Sequence, residues 1–186
     1  VLGPDKKRLS KRHAATSLEE YKEAGYLDSA ILNTLARLGW SKGENEIFYL
    51  NDLIKQFEIT EVQKAGAIFD ITKLDYLNAQ HMSNLHLNDF IGHLKPFLES
   101  KGVQVENHPK AELLIESMRS SANTLEGVAS NLMCYYQNIP AYNQKAIEKF
   151  VSNSVEILDD LKDRLANLET WTESSLDAVL LEYRSE

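Results

Sequence analysis

Apolar residues recur every three to four positions along most of the chain and rarely alternate, which confines the fold to helices packed on helices. Leu27, Ile31, Leu35 and Leu38 share one face, and Gly39 follows as a stop. A short helix is expected over about Asn51 to Phe57, with Asn51 as N-cap and Leu53, Ile54 and Phe57 turned inward. Asp70 is placed to cap the next helix, with Phe69 and Leu74 stapled across its start and Leu77 continuing the stripe. Asn88 opens a segment carrying Phe90, Ile91, Leu94, Phe97 and Leu98, which Gly102 ends and Pro96 should kink or shorten.

Beyond Pro109 the periodicity is helical nearly to the end. Successive stripes are Leu113, Leu114 and Met118; Leu125, Val128, Leu132 and Tyr136; Ile147, Phe150 and Val151; and Val155, Leu158, Leu161, Leu165 and Leu168. Trp171 and Thr172 repeat the staple-and-cap pattern, pairing Trp171 with Leu176 ahead of Val179, Leu180 and Tyr183. The fold class is therefore mainly α, with any strand short and near Ile47 to Tyr49. Val103-Gln104-Val105 reads as a brief extended stretch, and Tyr135 and Tyr136 read as core.

The 43% hydrophobic and 26% charged residues are the balance of a globular chain with enough apolar mass for a core. No apolar run approaches the ~18 residues of a membrane span, and the first residues lack the order of a secretory signal. Cys134 is alone, so no internal disulfide can form, and it reads as a small buried thiol. The net charge of −8 conceals a local reversal, for Lys6, Lys7, Arg8, Lys11 and Arg12 all fall in the first dozen residues. The remainder is more acidic than the whole. That distribution fits one local anion site and not a phosphate-hugging surface for duplex DNA.

Arg8-Leu9-Ser10-Lys11-Arg12 is the one run with a chemical signature. Alone it is weak, since short basic runs are commonly solvated tails. It is not a Walker loop, because Gly3-Pro4-Asp5-Lys6-Lys7 lacks the second glycine and the Gly-Lys-Ser/Thr order that wraps phosphates in backbone N–H groups. No metal site is visible: one cysteine and His13, His81, His86, His93 and His108 offer no close ligand pair.

The specificity comes from the wider context. Leu2-Gly3-Pro4-Asp5-Lys6-Lys7 with Leu9-Ser10-Lys11-Arg12-His13 resembles the second signature loop of class I aminoacyl-tRNA synthetases, in the form used by bacterial-type glutamyl-tRNA synthetases. Glu20-Tyr21, Gly25-Tyr26-Leu27, Leu32-Asn33, Leu35 to Ser41, Glu46-Ile47-Phe48, Ala67 to Asp70, Lys73-Leu74-Asp75 and Leu77-Asn78 follow in that family's order and spacing. Glu169, Trp171 and Thr172 resemble its late tryptophan-threonine turn. The likeness spans essentially the whole chain and is closest through about Asn78.

This resemblance implies the tRNA-binding part of an enzyme that activates glutamate with ATP and magnesium and transfers it to tRNA, in the cytoplasm and away from membranes. Lys11 would bind ATP phosphates, following the charge that grows on departing pyrophosphate. Two departures stand out: Arg8 replaces the loop's first lysine, and Ala14 its usual glycine. The first class I signature would lie upstream, so no catalytic residue is expected here and the chain alone should form no glutamyl-adenylate. Ile91-Gly92-His93 resembles it only superficially, since it follows the loop and sits in an amphipathic stripe.

The resemblance also divides the chain into residues 1–16, a remnant carrying the signature loop; 17–86, a helical stem-contact module; and 87–186, the first part of an α-helical anticodon-binding domain. Arg37, Lys42, Lys64 and Arg119 are candidate tRNA-facing charges, each of which solvation at a surface would also explain. Whether glutamine tRNA is charged besides glutamate tRNA stays open. A free-standing, non-catalytic helical RNA- or protein-binding module descended from the synthetase is the alternative reading.

Overall fold

The computed structural model describes Leu2 and residues 17–64, 66–105, 110–137, 143–152 and 154–182. The expected loop run Arg8 to Arg12 lies outside these residues, as do His13, His108 and Tyr183. The structure is helical, and among the described residues β pairing is limited to two isolated bridges, Leu2 with Ile68 and Lys42 with Asn45. The expected strand at Ile47 to Tyr49 is instead an irregular link. It enters α3 and contributes Phe48 to a small core without pairing.

Two compact units divide the chain, Val1–Asn138 and Ile139–Glu186. The first holds α1 (Leu18–Glu23), α2 (Asp28–Arg37), α3 (Leu50–Gln56), α4 (Ile71–Ser83), α5 (Leu87–Ser100), α6 (Ala111–Met118) and α7 (Leu125–Tyr136). α2 packs on α4, while α5, α6 and α7 pack on one another. Their common core joins Leu27, Ala30 and Met82 to Phe90, Leu94, Leu98, Ile115, Leu125, Val128 and Leu132. Val103 and Val105, the expected extended stretch, are buried in it as well. A second, smaller core holds Trp40, Phe48 and Leu53, where the Trp40 ring meets Phe48 at 5.1 Å and Phe57 at 5.4 Å.

Several expected faces turn by one position. α2 buries Ala30, Asn33 and Thr34, while Leu35 is 46% exposed. Its inward side is thus the small and polar one, because Asn33 has partners waiting below it. α3 starts at Leu50, with Tyr49 and not Asn51 at its cap, and the Asp52 carboxylate accepts the Tyr49 N–H at 3.1 Å. Ile54, expected inward, is 71% exposed. α6 buries Ile115 and leaves Leu113 at the surface. Pro96 neither stops nor shortens α5, which runs to Ser100. Pro96 has no N–H for the carbonyl four residues back, at Gly92, which lies on the exposed side of the helix.

Asp70 caps α4 as expected, its carboxylate accepting the Thr72 N–H at 2.9 Å. Cys134 is not buried: it is exposed on α7, and its thiol donates to the Asn131 carbonyl at 3.3 Å. Tyr135, also expected in the core, is exposed, and Tyr136 alone packs against it.

The second unit comprises α8 (Gln144–Ala146), a π turn (Ile147–Val151), α9 (Val155–Ala166) and α10 (Glu173–Glu182). None of its described residues is fully buried. Leu161, Leu165 and Leu168 are half-buried, whereas Phe150, Val155, Leu158 and Trp171 are exposed. Thr172 caps α10, its hydroxyl accepting the Ser175 N–H at 3.3 Å.

Candidate nucleic-acid interface

Three of the family-like motifs, Gly25-Tyr26-Leu27, Leu32-Asn33 and Leu77-Asn78, converge on the joint between α2, α4 and α7, and each supplies a buried contact. Asn33 and Asn78 are both fully buried. The Asn78 carboxamide accepts the Leu27 N–H at 2.8 Å and donates to the Asn123 carbonyl at 2.6 Å, joining the starts of α2 and α7 to α4. Asn33 donates to the Glu46 carbonyl at 3.0 Å and accepts the Phe48 N–H at 2.8 Å. Because both Asn33 groups are engaged in this way, its Oδ1 faces His81 Nε2 at 3.0 Å as an acceptor, so Nε2 carries the proton. Burial lowers the His81 pKa. In the sequence Asn33 and Asn78 are legible only as matches to a family pattern, and His81 only as one of five histidines with no metal-binding spacing. The signal available was an asparagine on the inner side of a helix stripe, where an apolar residue would normally sit.

Gly25 and Tyr26 complete the joint. Gly25 has φ +87°, and a Cβ there would lie 2.4 Å from the Glu126 nitrogen, so only glycine lets α7 approach this closely. Its carbonyl accepts the Leu125 N–H at 3.0 Å. The Tyr26 hydroxyl donates to Asp75 at 2.5 Å, and burial together with that carboxylate raises its pKa.

Leu2, the described residue that leads into the signature run, is fixed to the strip before α4. Its N–H donates to the Ala67 carbonyl at 2.8 Å, and its carbonyl accepts the Phe69 N–H at 2.9 Å. Beside this strip lie two shallow cavities. One, of about 210 Å³, is lined by Thr34, Arg37, Ala67, Ile68 and Lys73 among others. The other, of about 490 Å³, includes Leu35, Phe57, Val62, Lys64 and Gly66 in its wall.

The four candidate cations differ in what holds them. Arg37 donates to the Asn45 carbonyl at 2.7 Å and lies 3.5 Å from the Glu46 carboxylate, which Lys73 also contacts at 2.6 Å. The Lys73 hydrogen bond is the main reason the Glu46 pKa is lowered. Lys42 pairs with Glu61 at 3.1 Å, and this bond with that from the Trp40 indole holds the Glu61 pKa down. Arg119 faces inward: it donates to the Leu85 carbonyl at 2.7 Å and lies 4.6 Å over the Phe90 ring. Lys64 is exposed on the rim of the larger cavity. The structure therefore gathers Arg37 and Lys64 around the Leu2 strip and sets Arg119 against the link from α4 to α5. His93, the end of the misleading triplet, is exposed on α5, and no group of three or more metal-ligating side chains occurs among the described residues.

Residues 1–76 match the family described as tRNA synthetases class I (E and Q), catalytic domain, and residues 89–186 match an anticodon binding domain. The chain is 38% identical over 183 residues to glutamate–tRNA ligase 2 of Halorhodospira halophila, covering 98% of the chain and 39% of that protein. It is 42% identical over 166 residues to glutamate–tRNA ligase 1 of Campylobacter hominis, covering 89% and 35%. A crystal structure of a glutamate tRNA ligase from Elizabethkingia meningosepticum superposes with a TM-score of 0.72 at 26% identity, over 91% of the chain and 38% of that protein. The chain thus spans about two-fifths of the length of the relatives it matches.

Proposed function

We propose, because this chain belongs to the bacterial-type glutamate–tRNA ligase family, that it is the tRNA-binding portion of a ligase that activates glutamate with ATP and charges tRNA in the cytoplasm. The observation that carries this reading is the shared core. The two family matches meet between residues 76 and 89, and Leu27 and Ala30 from the first pack with Phe90, Leu94 and Val128 from the second. A continuous packed joint between the end of a catalytic domain and the start of an anticodon domain is what an enzyme needs to hold one tRNA at two distant points. On this reading residues 1–16 carry the ATP loop, 17–86 support the acceptor-stem side, and 87–186 begin the anticodon domain.

Lys11 neutralises ATP phosphates, with Arg8, Ser10 and Arg12 beside it in the loop. Magnesium comes with the nucleotide. Lys64, exposed near the Leu2 strip, is the leading phosphate contact of the tRNA. Arg37 and Lys42 can swing from their carboxylate partners at modest cost, since such surface pairs contribute only ~0–1 kcal/mol. Arg119 is turned inward to the link from α4 to α5 instead.

The test is titration of the chain with glutamate tRNA at two salt concentrations. Phosphate-dominated binding should weaken at least tenfold between ~50 mM and ~200 mM salt, and Lys64→Glu should weaken it further. No detectable binding at the lower salt, or binding insensitive to salt, would overturn the proposal. In the full-length ligase, Lys11→Ala should lower kcat far more than tRNA affinity, and a defect confined to the KM for tRNA would exclude the ATP role.

A further inference from the structure

Residues 84–86 are the whole link between α4 and α5, and they lie in the interval between the two family matches. So short a link sets the angle between the helices it joins, and its backbone groups need partners. The Asn84 and Leu85 N–H groups donate back to the Gln80 and Met82 carbonyls of α4. Carbonyls that point forward are met from outside. Arg119, at the end of α6, donates from Nη2 to the Leu85 carbonyl at 2.7 Å and holds Nη1 3.5 Å from the Ser83 carbonyl. The same guanidinium lies 4.6 Å over the ring of Phe90, in the first turn of α5. One side chain thus touches the end of α4, the link and the start of α5.

The arginine is not placed there for stability. Its side chain is only 12% exposed, Nε is buried without a hydrogen-bond partner among the described residues, and the ion pair with Glu116 is 3.5 Å long. A charge buried in this way adds little net stability over a well-packed apolar side chain. What a planar fork adds is fixed geometry among the groups it touches. Beside it a cavity of about 340 Å³, lined by Ala79, Gln80, Ser83 and Ser120 among others, leaves α4 without close packing against the end of α6. At the far end of the α6–α7 connection, the Asn123 carbonyl and the Leu125 N–H are tied to Asn78 and Gly25. At the near end, Arg119 makes the tie.

We infer that Arg119 is a positioning residue for tRNA: it latches the α4–α5 link and so holds the module that ends in α4 at a fixed angle to α5, α6 and α7. This rests on the reading of both parts as surfaces for one tRNA. An unlatched joint still forms the same complex but adopts the competent angle for only a fraction of the time, and the apparent Kd rises by the inverse of that fraction.

The chain is spin-labelled at the exposed Cys134 of α7 and at Asn51→Cys on the outer face of α3. The distance distribution between the labels is measured well below the Tm, together with the Kd for glutamate tRNA at several salt concentrations. Arg119→Met should broaden the distribution and weaken tRNA binding about tenfold, with the slope of log Kd against log salt unchanged. Arg119→Lys keeps the charge but cannot reach both carbonyls, so it should recover about threefold of that loss or less. A direct phosphate contact behaves otherwise, because its removal lowers the slope by about 1 and a lysine replaces it. A lowered slope in Arg119→Met, full recovery in Arg119→Lys, or a wild-type distance distribution in Arg119→Met would each overturn the latch. If Arg119→Met does not fold, Arg119→Lys carries the comparison, and a wild-type distribution there is the overturning result. Absence of tRNA binding by the wild-type chain would overturn the tRNA reading instead, while the distance distributions still decide whether Arg119 sets the angle.

Discussion

Asn33 Oδ1 sits 3.0 Å from His81 Nε2 while accepting the Phe48 N–H at 2.8 Å, so one carboxamide oxygen ties α2 to α4 and to the link entering α3. The other imidazole nitrogen, Nδ1, is buried without a hydrogen-bond partner among the described residues. Tyr49 closes the site, its ring 4.8 Å from the imidazole. Protonating His81 would therefore place a new buried N–H donor where no described residue accepts it.

That arrangement sets a pH dependence. Burial lowers the folded-state His81 pKa below its ordinary 6.5, so the unfolded chain binds the proton more readily. Its contribution to stability is complete above that value and is lost as pH falls from there toward the folded pKa. The carboxylates Glu46, Glu61 and Glu126, with pKa values lowered from 4.5, act in a separate, more acidic window. Urea midpoints measured from about pH 7.5 to about pH 5 should fall, and His81→Gln should flatten that fall. A flat wild-type profile would show that the imidazole gains a proton partner.

Asn78→Ala should destabilise the first unit by about 2–4 kcal/mol, since it leaves the Leu27 N–H and the Asn123 carbonyl unpaired in a buried joint. Asn78→Asp keeps the acceptor for Leu27 but loses the donor for Asn123, and should remain well below wild type. Denaturant unfolding monitored by tryptophan fluorescence in a Trp171→Phe background, where Trp40 alone reports, checks both. A loss under ~0.5 kcal/mol, the scale of an ordinary surface change, would mean the clasp contributes nothing.

Two glycines should respond in opposite directions. Gly25→Ala meets both a positive φ and the Glu126 backbone, and should cost more than ~1 kcal/mol. Gly92→Ala lies inside α5 with open space around it, and should stabilise by ~0.5–1 kcal/mol through helix propensity. Differential scanning calorimetry of the pair reads the contrast directly. Equal effects would contradict this account of either site.

Hydrogen exchange should separate the two units. α5 and α7 bury Phe90, Leu94, Leu98, Val128 and Leu132, whereas α9 buries no residue completely. Amides of α9 should show protection about a hundredfold lower, a gap of ~2.7 kcal/mol. Matching protection in α9 and α7 would require a core in the second unit that its side chains do not provide.

Most of the helical content was legible in the sequence, because periodicity and capping are local. The inner residues of α5 (Phe90, Leu94 and Leu98) and of α7 (Leu125, Val128 and Leu132) repeat at helical spacing, and Asp70 precedes α4 as an N-cap should. The kinship carried by Gly25-Tyr26-Leu27, Leu32-Asn33 and Leu77-Asn78 was legible too, since a spaced series of motifs is read without knowing what each touches. Which face turns inward depends on the partner, and that only the tertiary structure decided. Leu35 and Ile54 lie outward because the space under α2 is taken by Asn33 and its partners, and the small core beside α3 is filled by Trp40, Phe48 and Leu53. Cys134 and Tyr135 are surface residues because α7 turns Val128, Ala129 and Leu132 toward α5 and α6. The pairing of Leu2 with Ala67 and Phe69 joins residues more than sixty apart through backbone groups. Every residue but proline carries the same backbone donor and acceptor, so no side-chain pattern could announce that pairing, and only the folded chain brings the two segments together.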